Sequence, residues 1–106
     1  MALINLTYSF DGVAGASIPG AWFHSGVVGS GDMEVLLYRR DQGGKVHVKV
    51  CTPVHGFEAV WENVLRRFVE QSGCGDLDLE INDNNATPFI VSLRLQQALQ
   101  EAREEG

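Results

Sequence analysis

The spacing of apolar residues changes near residue 53, and that change constrains the fold more than any other feature of the chain. Before it, Val46, Val48 and Val50 alternate with His47, Lys49 and Cys51, the period of two expected of a strand that shows one face to a core. Pro53 ends that run, because proline has no N–H to give to a ladder. After it, Phe57, Val60, Trp61, Val64, Leu65, Phe68 and Val69 recur at steps of three and four. They form one stripe on a helix of about sixteen residues, roughly four turns. Glu58, Glu62, Arg66, Arg67 and Glu70 fall mostly off the stripe, Glu62 precedes Arg66 by one favourable turn, and Gly73 is a stop signal.

The same two periods organise the rest. Ile4, Leu6, Tyr8 and Phe10 alternate with polar residues as a half-buried strand, and residues 11–20, rich in Gly, Ala and Ser, form a loop. Residues 21–28 and 33–40 are strand-like, with turn chemistry in Gly29-Ser30-Gly31-Asp32 between them. Asp41-Gln42-Gly43-Gly44 separates residues 33–40 from the strand at 45–52, which predicts a hairpin. Leu77, Leu79 and Ile81 mark a further strand, and Asp83-Asn84-Asn85-Ala86 a polar turn. Thr87-Pro88 opens a second helix, the threonine as cap and the proline at the first position, with Val91, Leu95, Ala98, Leu99 and Ala102 on its apolar face and a charged tail from Glu101 that is expected to fray. The expected fold is α+β: one domain over residues 1–106, with a small mixed or mainly antiparallel sheet of four to five strands packed against two helices.

Composition narrows the function. The 106 residues are 44% apolar and 21% charged, those of a single folded globule. Fourteen acidic against eight basic residues give a net charge of −6, which argues against nucleic acid or an anionic membrane as partner. No apolar run approaches the ~20 residues of a bilayer crossing, and no secretory signal is apparent at the N-terminus. Two cysteines, Cys51 and Cys74, are too few for a disulfide scaffold and fit a cytoplasmic protein.

The most unusual stretch is residues 26–37, GVVGSGDMEVLL. On its residues alone, a tight turn that uses glycine for positive φ explains it. Three sharper readings fail on spacing. Val28 and Asp32 stand where a nucleophile elbow needs glycines, Glu34 where a dinucleotide fingerprint needs its third, and no lysine completes a P-loop. What survives is an exposed Ser30 hydroxyl flanked by Gly29 and Gly31, open enough to carry a bulky modification. Asp32 either assists a partner enzyme at that serine or pairs with turn amides. His24, His47 and His55 lack metal-ligand spacing, so no metal site is expected. A Cys51–His55 nucleophile pair requires the fold to close it; otherwise these are a half-buried cysteine and a solvated histidine. Trp22-Phe23, if exposed, would mark a partner surface.

From residue 26 onward the chain resembles the acyl-carrier (δ) subunits of bacterial malonate decarboxylase. The Gly-Ser-Gly-Asp motif is followed by a helix carrying Trp61. Then comes Ile81-Asn82-Asp83-Asn84-Asn85-Ala86-Thr87-Pro88-Phe89, where the family has INDFGATPG, and then a helix with Leu93-Arg94-Leu95-Gln96-Gln97 and an acidic tail. Asn84-Asn85 stand in place of Phe-Gly, and Phe89 in place of the last glycine. The resemblance implies that Ser30, supported by Gly29, Gly31 and Asp32, carries 2'-(5''-phosphoribosyl)-3'-dephospho-CoA through a phosphodiester, attached by a prosthetic-group transferase. It implies that the arm bears acetyl and malonyl thioesters between an acyl transferase subunit and a decarboxylase subunit, and that the chain itself is non-catalytic. The strong β pattern predicts a fold unlike the four-helix carriers of fatty-acid synthesis. Two other readings stand beside it: an unmodified assembly module of a multi-subunit enzyme, and a small enzyme built on Cys51 and His55.

Overall fold

The computed structural model describes residues 2–105. Five strands, β1 (Ile4–Phe10), β2 (Trp22–Gly26), β3 (Asp32–Arg39), β4 (Val46–Thr52) and β5 (Leu77–Asn84), form one sheet in the order β1-β4-β5-β3-β2. Two helices, α1 (Glu58–Ser72) and α2 (Pro88–Glu105), complete the α+β fold. Only β4 and β5 run parallel, and α1 is the crossover that a parallel pair requires. The other three pairings are antiparallel.

The period of two decides which side of the sheet is covered. Val46, Val48 and Val50 of β4, Leu77, Leu79 and Ile81 of β5, and Met33, Val35 and Leu37 of β3 are all buried. Against them pack Trp61, Leu65, Phe68 and Val69 of α1 and Val91, Leu95, Ala98, Leu99 and Ala102 of α2. α2 lies over β2 and β3, and α1 on the β1 side, where the Tyr8 hydroxyl donates to the Glu58 carbonyl at 2.8 Å.

Three expectations change. Residues 33–40 and 45–52 form strands but not a hairpin, because β5 lies between β3 and β4. The connecting loop is held instead by Asp76, whose carboxylate accepts the N–H groups of Gly15 at 2.8 Å, Gln42 at 3.1 Å and Gly44 at 2.7 Å. A long-range acceptor thus takes the place of the local turn. Phe57 and Val60, expected in the buried stripe, are 49% and 39% exposed, and Val64 is only half-buried, because all three line a groove left open between the start of α1 and the β5–α2 turn. The charged tail is helical through Glu105, since Ala102 is buried beneath it; Gly106 lies outside the described residues. Thr87 caps α2 as its sequence suggests, its hydroxyl accepting the Ile90 N–H at 3.3 Å, and Gly73 ends α1 in the left-handed region at φ 65°.

Candidate functional site

Ser30 sits at the corner of the β2–β3 turn and is exposed. The Asp32 N–H donates to the Gly29 carbonyl at 3.1 Å, closing four residues into a turn whose third position, Gly31, has φ 74°. An L side chain rarely adopts that conformation, which is why the turn has glycine there. A Cβ added at Gly29 or Gly31 would meet no atom within 4 Å, so Ser30 is approachable from both sides. Those surroundings fit a bulky phosphodiester-linked group.

Three tethers hold this turn. The Gly31 N–H donates to the Asn84 carbonyl at the end of β5, at 2.8 Å. Asp32 accepts from the Arg94 guanidinium of α2 through two bonds, Nε at 2.8 Å and Nη2 at 2.7 Å, and from the Met33 N–H at 2.7 Å. The Arg94 bond and the Met33 amide lower the Asp32 pKa, and Asp32 in turn raises that of Arg94. Asp32 is therefore a structural anion engaged by a cation, not a free base beside the serine. Asp83 fixes the neighbouring β5–α2 turn: it is buried and accepts from the Thr52 hydroxyl at 2.8 Å and from the Asn85 and Ala86 N–H groups at 3.2 and 2.9 Å. Neither Arg94 nor Asp83 stands out as a partner of the serine motif in sequence, for Arg94 lies 62 residues from Asp32. The Leu-Arg-Leu spacing was the one available signal.

The remaining candidates separate. Ser25, five residues before Ser30 and next to Gly26, is on β2 and half-buried, and donates to Glu101 of α2 at 2.8 Å. Cys51 is half-buried at the end of β4 and His55 exposed in the following loop; no hydrogen bond joins them among the described residues. Cys74 is buried, which pushes its thiol pKa up. His24 pairs with Glu34 at 2.8 Å on the uncovered face of the sheet. The His24 bond, then an Asn82 bond, lowers the Glu34 pKa. Trp22 is 62% exposed and Phe23 half-buried. Among the described residues no three His, Cys, Asp or Glu side chains converge to hold a metal ion, and no helix is long and apolar enough to cross a membrane.

At the same end of the sheet as the serine turn, which Gly31 ties to Asn84, an apolar groove of about 220 Å³ opens between the first turns of α1 and the β5–α2 turn. Phe57, Val60, Trp61 and Val64 form one wall and Ala86 and Val91 the other, with Asn85 at the rim. No sequence signal separated these residues from the core, because a groove wall and a core stripe share one helical period.

Residues 22–102 match the family described as the malonate decarboxylase delta subunit. The chain is 54% identical over 80 residues to the malonate decarboxylase acyl carrier protein of Malonomonas rubra, covering 76% of this chain and 71% of that one. It is 42% identical over 95 residues to the protein of that name from Xanthomonas euvesicatoria pv. vesicatoria, covering 90% of each. Its structure superposes on a chain of a crystallised Pseudomonas malonate decarboxylase hetero-tetramer in complex with malonate, with a TM-score of 0.78 at 34% identity, covering 93% of this chain and 98% of that one. With the serine turn, the Trp61 helix and Arg94 all inside the matched span, the chain belongs to the malonate decarboxylase delta subunit family.

Proposed function

We propose that this chain is the acyl carrier subunit of a cytoplasmic malonate decarboxylase complex, with Ser30 as the attachment point of its prosthetic group. The observation that carries the reading is Ser30 itself: an exposed hydroxyl at the corner of a turn, open on both sides and fixed from behind by Asp32–Arg94 and Asn84. The phosphoribosyl-dephospho-CoA arm, joined to Ser30 Oγ by a phosphodiester, would supply a terminal thiol for acetyl and malonyl groups. The chain's own part is physical. It makes and breaks no bond at carbon; it tethers a reactive end so that each transfer proceeds at high effective concentration. Its charge of −6 suits docking by complementarity to basic surfaces on an acyl transferase subunit, a decarboxylase subunit and the prosthetic-group transferase.

Intact mass tests this. Co-expression with the prosthetic-group transferase should add one arm to the wild type and to Ser25→Ala, and none to Ser30→Ala. Removing an exposed turn hydroxyl should change stability by at most ~1 kcal/mol, so loss of loading would not reflect unfolding. An arm mapped to Ser25, or mass gained by Ser30→Ala, contradicts the assignment. An unmodified wild type favours a plain assembly module.

A further inference from the structure

We propose that the groove between α1 and the β5–α2 turn is a binding site for a purine base, the adenine of the arm borne by Ser30; the inference rests on the reading above. Four observations lead to it. The first is position. Gly31, next to Ser30, bonds the Asn84 carbonyl, and the next residue, Asn85, forms the groove's rim. With consecutive Cα atoms ~3.8 Å apart, the rim lies a few residues' length from the serine, a gap that a phosphate and a ribose can bridge.

The second is an unexplained apolar surface. Phe57 occupies the N-cap of α1 and makes no side-chain cap bond, although Ser, Thr, Asp or Asn there would stabilise the helix. Phe57 and Val60 stay 49% and 39% exposed, one turn from buried Trp61. The chain thus keeps an aromatic ring and a branched side chain on an open wall where polar residues would suit the fold better. The third is size and chemistry. About 220 Å³ is below the range of pockets for drug-sized ligands, so the groove admits one ring system rather than the whole arm. Its walls offer apolar and aromatic contact, and the Asn85 carboxamide at the rim is of the side-chain type that pairs with the N6/N7 edge of adenine.

The fourth is the arm's own order. Adenine lies in the nucleotide half, next to the phosphoribosyl link, whereas the thiol is at the far end. Holding the base against the carrier would leave the pantetheine free to reach partner active sites and would set the point from which it swings. A tethered base needs little intrinsic affinity, because its effective concentration is of order millimolar.

The test compares loaded and unloaded wild-type chain by NMR, with mass spectrometry confirming one arm on Ser30. Expected are shift changes at the Val60, Val64, Val91 and Ala86 methyls and cross-relaxation between those methyls and adenine H2 or H8. Both should be lost in loaded Val60→Glu. Shift changes confined to residues 27–33, with the arm on Ser30, would overturn the adenine site. So would cross-relaxation from the pantetheine methyls alone. A chain that gains no mass on Ser30 would sink the functional reading first, and this inference with it.

Discussion

At the scale of single residues, two carboxylates tie down loops at opposite ends of the sheet, Asp32 at the serine turn and Asp76 at the start of β5. Asp32 is bound twice by Arg94, with their side chains 20% and 33% exposed, so the pair is neither a free surface ion pair nor a fully buried one. Arg94→Gln is expected to cost about 1–2 kcal/mol in a denaturation experiment, between the values for exposed pairs and for hydrogen bonds to charged groups. It should also speed hydrogen exchange at the Gly31 and Asp32 amides more than at β5 amides. Unchanged exchange at those two amides would mean that the turn holds without α2. Asp76 plays the matching role at the opposite end of β5, with φ 55° and three loop amides converging on it. Beside it Gly75 has no room for a side chain, because a Cβ there would run into the Val13 carbonyl. The exposed serine and the glycine at positive φ were legible in the sequence, because a turn is a local matter. Arg94 and Asp76 were not, because each acts on residues tens of positions away, and of the bonds to Asp83 only the local turn amides were within reach of the sequence, not the Thr52 hydroxyl 31 positions off.

At the scale of elements, α1 has two parts with different tasks. Leu65, Phe68 and Val69 are core, Phe57 and Val60 belong to the groove, and buried Trp61 stands between, part of the core and of the groove wall. Trp61→Ala should therefore cost about 3–5 kcal/mol, as for other buried large aromatics. Phe57→Ser should hold or raise the denaturation midpoint, since it exchanges a half-exposed ring for an N-cap acceptor. Equal losses for the two variants would return Phe57 to the core. Helix positions, strand periods and the caps at Thr87 and Gly73 could all be read from the sequence, because they depend on residues within a turn or two. The pairing of strands could not. Asp41-Gln42-Gly43-Gly44 is good hairpin chemistry, yet β3 and β4 are separated by β5, which arrives only after α1. Every residue of the turn tolerates either outcome; the choice is made by Asp76 and by the burial of β5 on both edges.

At the scale of the whole molecule, one face of the sheet is roofed by helices and the other is bare, and the serine turn stands at one end between them. The acid side of the stability profile follows from carboxylates whose pKa values the fold lowers: Asp32 by Arg94, Asp76 by the Gly15, Gln42 and Gly44 amides, and Glu34 by His24 and Asn82. A lowered folded-state pKa gives stability that is complete above the ordinary carboxylate range, near pH 4, and lost as pH falls through the folded value. On the alkaline side, burial raises the Cys74 thiol, so its contribution is complete below about pH 8 and lost above it. Urea midpoints should be level between about pH 5 and 8 and fall below pH 4, and Asp76→Asn should flatten the acid limb. A midpoint unchanged from pH 7 to pH 3 would show that these anions do not hold the fold.

The most direct measurement of the central claim is malonate-dependent release of carbon dioxide from a reconstituted complex of partner subunits and this chain. Chain loaded by the prosthetic-group transferase should support turnover, and unloaded chain and Ser30→Ala should not, while all three remain folded and bind the same subunits. Turnover with Ser30→Ala equal to that of the loaded wild type would contradict the account, because the carrier would then work without the serine on which everything proposed here depends.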